Sequence, residues 1–167
     1  PTHFDVAAEH ALRAAQRRSQ ARCWSAAGAT GEEPYSLAMA LTDVFRSEEP
    51  RVTILATDID VEALAVARRG EYGVRALAGL ESERLERFFT VTTDNHWGIK
   101  PTVRRLVEFC ALNLVEVAWL NIEGPFDVIF CRNVLMYLEA SYRYSVVERL
   151  ASLLAPDGLL ILDPTEH

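Results

Sequence analysis

The sequence predicts an α/β domain built on a doubly wound, mostly parallel sheet with a small antiparallel insert, and three observations carry that prediction. Short apolar runs alternate with helical patterns along almost the whole chain, the signature of strands joined by crossover helices. The run Phe126-Asp127-Val128-Ile129-Phe130-Cys131 is almost uninterruptedly apolar, as a strand buried on both faces of a parallel sheet is. A glycine-bearing loop, Ala26-Ala27-Gly28-Ala29-Thr30-Gly31, follows the first run directly, where such sheets place their ligand loops. The length of 167 residues suits one domain, about 100–200 residues being usual.

The elements follow in order. Residues 4–16 read as a helix with Phe4, Ala8, Ala11, Leu12 and Ala15 on one face. Residues 23–27 are the first strand. A helix then opens at Thr30 to Pro34 and runs to Phe45; Thr30 and Glu33 have capping-box spacing, and Pro34 suits a first turn. The second strand is 52–57, ending in Asp58-Ile59-Asp60, and a helix over 61–69 is closed by Gly70. Residues 80–89 read as a helix. The Thr-rich stretch 89–108, with a turn over Thr93-Asp94-Asn95-His96-Trp97-Gly98, reads as the antiparallel insert. Strands follow at 107–112 and 126–131, the latter expected near the centre. A helix over 142–154, a turn at Ala155-Pro156-Asp157-Gly158 and a last strand at 159–162 complete the pattern.

Composition narrows the function. No run approaches the ~20 apolar residues of a membrane helix, and no leader-like segment opens the chain. A net charge of −7 argues against a nucleic-acid binder, which needs clustered Lys and Arg, although Arg17-Arg18, Arg68-Arg69 and Arg104-Arg105 form local basic pairs. Cys23, Cys110 and Cys131 are odd in number and widely spaced within apolar stretches. They read as buried thiols in a reducing cytoplasm, with neither a disulfide framework nor a metal site. The chain begins at Pro1 and stops just after an apolar strand, and so reads as an excised piece of a longer polypeptide, monomeric by default.

The residues just after each strand are the informative ones in such a sheet. Gly28 and Gly31 let the backbone turn and approach a ligand, and Asp58 stands where an acid holds ribose hydroxyls. Together they point to an adenosine-containing ligand. A nicotinamide dinucleotide is one candidate. Against it, Ala26 replaces the first glycine of the fingerprint, and Glu32 and Glu33 at the helix start are poor neighbours for a pyrophosphate. S-adenosylmethionine, cationic and without phosphate, tolerates both carboxylates. Simple helix capping is the plainer reading of the pair.

Three segments then carry a resemblance over nearly the whole chain: Trp24-Ser25-Ala26-Ala27-Gly28-Ala29-Thr30-Gly31-Glu32-Glu33-Pro34-Tyr35-Ser36, Ala56-Thr57-Asp58-Ile59-Asp60, and Phe126 to Tyr137 with its Cys131-Arg132-Asn133-Val134 core. With Leu153-Leu154-Ala155-Pro156-Asp157-Gly158-Leu159-Leu160, the sequence resembles the CheR-type chemotaxis receptor methyltransferases. The resemblance implies a Rossmann-like class I S-adenosylmethionine-dependent fold and methyl transfer to glutamate carboxylates of receptor cytoplasmic helices, with S-adenosylhomocysteine as product. It implies that Ala27, Gly28 and Glu33 meet the methionine part of the cofactor, that Asp58 holds the ribose, and that Asn113 and Leu114 flank the adenine. Arg132, Asn133 and Tyr137 would line the methyl-transfer end, Arg132 also as a cofactor neighbour.

The chemistry needs little more. A glutamate has a reference pKa of ~4.3 and is already ionised at neutral pH, so alignment and desolvation suffice. The four histidines, His3, His10, His96 and His167, show no base pattern. Arg132 would orient the incoming carboxylate, the alternative being an ordinary ion pair. Tyr137 would wall the pocket, the alternative being a half-buried aromatic. The resemblance also marks departures: the N-terminal docking domain and the strands after 162 are absent, and Asp163-Pro164-Thr165-Glu166-His167 stands where relatives usually have Gly-His-Ser-Glu. The 89–108 insert lacks the Gly-rich loop of members that tether to a receptor's terminal pentapeptide. A cofactor-binding module without methyl transfer is the alternative function.

Overall fold

The computed structural model describes residues 2–93 and 95–163. Asp94 of the expected turn and the end Pro164-Thr165-Glu166-His167 lie outside the described residues. From the N-terminus run α1 (His3–Arg18), β1 (Ala21–Ser25), α2 (Glu32–Phe45), β2 (Val52–Asp58), α3 (Val61–Arg69) and β3 (Glu71–Gly73). Then come α4 (Ser82–Phe88), β4 (Phe89–Thr93), β5 (His96–Ile99), α5 (Pro101–Arg104), β6 (Val107–Ala111) and β7 (Phe126–Cys131). A single 3₁₀ turn (Leu135–Tyr137), α6 (Ala140–Ser152) and β8 (Leu154–Leu162) follow.

Five strands form the main sheet in the order β6-β2-β1-β7-β8, every neighbouring pair parallel. The order reverses between β1 and β7, where Cys23 pairs with Val128 and Ser25 with Phe130. β7 is buried along its whole length, inside the sheet but one place from its centre. Its alternate residues serve two cores. Val128 and Phe130 join Cys23, Ile54 and the faces of α1 and α2, while Ile129 and Cys131 join Trp24, Trp119 and Val146 and Leu150 of α6. Burial on both faces is what the apolar sequence of β7 requires.

α1 begins with a capping box, Thr2 accepting from the Asp5 N–H and Asp5 accepting from that of Thr2. Ala7, Ala8, Ala11, Ala14 and Ala15 are fully buried, so the face against the sheet and α2 is turned toward Ala7 and Ala14 relative to the expected one, with Phe4 and Leu12 half-buried. Its far end is riveted to the sheet: Arg18 pairs with Asp127 and with Asp157, and Arg17 with Asp157.

Several expectations are corrected. β1 ends at Ser25, two residues early, which releases Ala26 and Ala27 into the loop. Thr30 and Glu33 do not cap α2. Its cap is Gly31, left-handed at φ 100°, and Glu33 is drawn the other way by the Ser25 hydroxyl, which donates to it at 2.7 Å. β6 stops at Ala111, and α4 is shorter than expected. α6 is displaced two residues toward the N-terminus, because the Leu153 carbonyl is taken by the Phe126 N–H at 2.8 Å. The turn expected at residues 155–158 is a bulge within β8. Pairing jumps from Phe126↔Leu154 to Val128↔Leu159, and the extra residues put Asp157 beside Arg17 and Arg18.

The small sheet is antiparallel, in the order β3-β5-β4. His96, Trp97 and Gly98 lie in β5 rather than in a turn, and β3 supplies a third strand that the sequence did not suggest. Residues 100–106 leave the sheet, because Pro101, which has no N–H for a ladder, starts α5. Cys23 and Cys131 are buried, but Cys110 is only half-buried. No helix of the described residues is long and apolar enough to cross a membrane.

Candidate functional site

The site lies at the carboxyl ends of β1, β2, β6 and β7, where the strand order reverses. β1 ends in a loop held by the sheet itself: the Ala26 N–H donates to the Phe130 carbonyl at 2.8 Å and the Gly28 N–H to that of Thr57 at 2.9 Å. Beneath it Trp24 donates through Nε1 to the Thr57 hydroxyl, and that hydroxyl donates to the Ala26 carbonyl, both at 3.0 Å. A Cβ on Gly28 would come 3.4 Å from Ala56 and Ser25, and one on Gly31 only 2.7 Å from the Tyr72 hydroxyl. Ala29 and Gly31 both sit at positive φ. The expected glycine loop is therefore a packed bend.

Two cavities open onto this loop. The first, of about 290 Å³, is lined mainly by apolar side chains: Ile59, Leu112, Leu114, Val115, Val134 and Leu138, with Asp58 and Asn113. The second, of about 300 Å³, is polar: Gly28, Ala29, Glu32, Glu33, Asp58, Arg132 and Asn133 face it. Ala27, Asp58 and Val134 line both, so the two are chambers of one cleft.

The sequence-predicted residues distribute over these chambers. Asn113 and Leu114 belong to the apolar one; Gly28, Glu33, Arg132 and Asn133 to the polar one; Ala27 and Asp58 stand between. Asp58 accepts from the Ala29 N–H through Oδ2 and from the Asp60 N–H through Oδ1, each at 2.9 Å. Each oxygen keeps a lone pair for a further donor. Asn113 turns its own chain, Oδ1 accepting from the Val115 N–H at 3.1 Å. Tyr137 is 80% exposed and lines neither chamber.

Arg132 is held from several sides. Its Nε and one terminal nitrogen donate to Oδ1 of Asp163 at 3.0 and 2.9 Å, and the other terminal nitrogen lies 2.9 Å from Nε2 of His3 and 3.9 Å from Glu33. A guanidinium only donates, so His3 accepts through Nε2 and its imidazole is neutral. Burial, then the Arg132 charge, lower the His3 pKa in agreement. Burial raises the Glu33 pKa, against the Ser25 hydrogen bond and the Arg132 charge. The polar chamber thus sets three carboxylates, Glu32, Glu33 and Asp58, against one guanidinium that Asp163 already neutralises. Such a chamber repels a pyrophosphate and suits a cation.

Several site residues escaped the sequence reading. Ile59 and Leu112 directly follow strands, a signal that was available. Val134 and Leu138 show as an i, i+4 apolar pair after Arg132-Asn133. His3 and Asp163 are 129 and 31 residues from Arg132, and no local pattern joins them. Among the described residues no group of three or more His, Cys, Asp or Glu is arranged to hold a metal ion.

Residues 1–167 match the family described as CheR methyltransferase, SAM binding domain. The chain is 41% identical over 168 residues to the chemotaxis protein methyltransferase of Salmonella typhimurium, covering 99% of this chain and 57% of that protein. It is 40% identical over 168 residues to chemotaxis protein methyltransferase 2 of Pseudomonas aeruginosa, covering 99% and 60%. In fold it is similar to the solved DszA carbon methyltransferase, with a TM-score of 0.57 at 19% identity over 96% of this chain and 34% of that one. The chain thus spans less than two thirds of the length of these curated relatives.

Proposed function

The chain belongs to the CheR methyltransferase family, as its S-adenosylmethionine-binding domain, and from that membership we propose that its cleft binds S-adenosylmethionine for methyl transfer to glutamate carboxylates on cytoplasmic helices of chemotaxis receptors. The observation that carries the proposal is the division of the cleft. An apolar chamber suits an adenine, a net-negative chamber suits a cationic methionine end, and Asp58 stands at their junction to take the ribose hydroxyls. The residues fit the cofactor in charge as well, since it brings no phosphate to the carboxylates of α2.

When bound, the cofactor supplies an electrophilic methyl group on a sulfonium sulfur. Glu33 offers its Oε2 to the methionine ammonium while Ser25 holds Oε1. Leu112, Leu114 and Leu138 exclude water around the adenine. The accepting glutamate is ionised at neutral pH and needs no base, so the protein's task is to align it and strip its water. Arg132, at the mouth of the polar chamber with its charge shared by Asp163 and Glu33, orients that carboxylate weakly and leaves it nucleophilic. β4 and β5 are joined by only two residues, which supports docking without a receptor pentapeptide tether. The protein acts in this reading as a cytoplasmic monomer.

Calorimetric titration with S-adenosylhomocysteine, beside NAD, tests the binding. Saturable binding of the first and none of the second is expected. Asp58→Ala is expected to weaken it about 10- to 100-fold, the worth of hydrogen bonds to a charged acceptor. Absence of saturable binding by the wild-type chain sinks the proposal. A second reading, a binding module without transfer, is favoured by the same ion pairing of Arg132; a full-length protein that binds the cofactor yet methylates no receptor would establish it.

A further inference from the structure

We infer that Asp163 is a positioning residue for the cleft: it fastens the Arg132–Asn133 turn, and with that turn the wall the two chambers share. The inference rests on the binding reading above. Asp163 follows β8 directly and is 6% exposed. One carboxylate oxygen takes two N–H groups of the Arg132 guanidinium, and the other takes the backbone N–H of Asn133 at 2.7 Å. Such charge-assisted bonds fix both the plane of the guanidinium and the path of the chain.

The turn needs fixing. Asn133 sits at φ 58°, a left-handed conformation that asparagine tolerates better than other non-glycine residues but that neighbouring bonds still help to hold. The next residue, Val134, lines both chambers, and Arg132 and Asn133 line the polar one. With Asp163 on one edge of the guanidinium, the remaining terminal nitrogen faces His3 and Glu33. The charge of Asp163 also reaches Glu33, where it opposes ionisation.

Calorimetric titration with S-adenosylhomocysteine is run on the wild-type chain, Asp163→Ala and Asp163→Asn, beside thermal unfolding of each. Asp163→Ala is expected to bind at least tenfold more weakly at a temperature where it is folded. Asp163→Asn, which keeps an acceptor for the Asn133 N–H, is expected to recover most of the affinity. Both variants remove a negative charge that opposes ionisation of Glu33, so the loss of affinity in acid is expected at lower pH than in the wild type. A purely structural residue would not move that limb. Affinity of Asp163→Ala within twofold of wild type, with the acid limb unmoved, overturns the inference; if Asp163→Ala does not fold, the limb in Asp163→Asn decides. If the wild type itself fails to bind, the binding reading falls and hydrogen exchange decides the turn: amides of 132–134 exchanging at least tenfold faster in Asp163→Asn support the fastening, and equal rates refute it.

Discussion

Glu33 lies between the Ser25 hydroxyl and the Arg132 guanidinium, and burial makes its charge harder to hold than an ordinary glutamate's. As pH falls from neutral, Glu33 takes up its proton earlier than an exposed glutamate would, and the chamber loses negative charge. Affinity for S-adenosylmethionine, a cation, is therefore expected to decline at a pH above the usual glutamate range of about 4.3. Glu33→Gln is expected to bind several-fold more weakly at neutral pH and to show no such decline. Titrations from pH 5 to 8 check both, and an identical pH profile in the variant would remove Glu33 from the cofactor's surroundings. The sequence exposed this residue through its Gly31-Glu32-Glu33-Pro34 setting, but spacing to Thr30 suggested a cap. The competing attraction comes from Ser25 and Arg132, and the latter is brought near only by the fold.

At the scale of elements, the strands were legible wherever burial on both faces demanded apolar residues, as in β2 and β7. The end of α6 and the bulge of β8 were less so, because a distant partner decides each: the Phe126 N–H for α6, the arginines of α1 for β8. β3 was invisible, three residues whose pairing with β5 is wholly tertiary. Gly31 joins two elements, capping α2 and packing against α3. Its φ of 100° suits no side chain, and a Cβ there would lie 3.0 Å from that of Ala67 as well as against Tyr72. Gly31→Ala is expected to destabilise the protein by about 1–3 kcal/mol, read as a lower urea midpoint. An unchanged midpoint would mean that the loop relaxes freely and that its shape is not set by this residue.

For the whole molecule, the doubly wound order places two cores on opposite faces of one sheet, and β7 feeds both. Phe130 is fully buried, and its ring centroid lies 5.5 Å from that of Phe4 and 6.0 Å from that of His3 in the first turn of α1. Phe130→Ala is expected to cost about 3–5 kcal/mol, a large share of the roughly 5–15 kcal/mol that holds such a domain folded. Chemical denaturation followed by circular dichroism measures it, and a loss under 1 kcal/mol would show that the first core closes over the gap. α1 itself lies along β7 from Asp127, held by Arg18, to Arg132, held by His3. Sixteen helical residues span about 24 Å, so the helix works as a strut with one foot bolted to the far rim of the sheet and the other resting on the cleft. Whatever displaces the first turn of this helix displaces His3, whose ring nitrogen meets the Arg132 guanidinium directly at 2.9 Å.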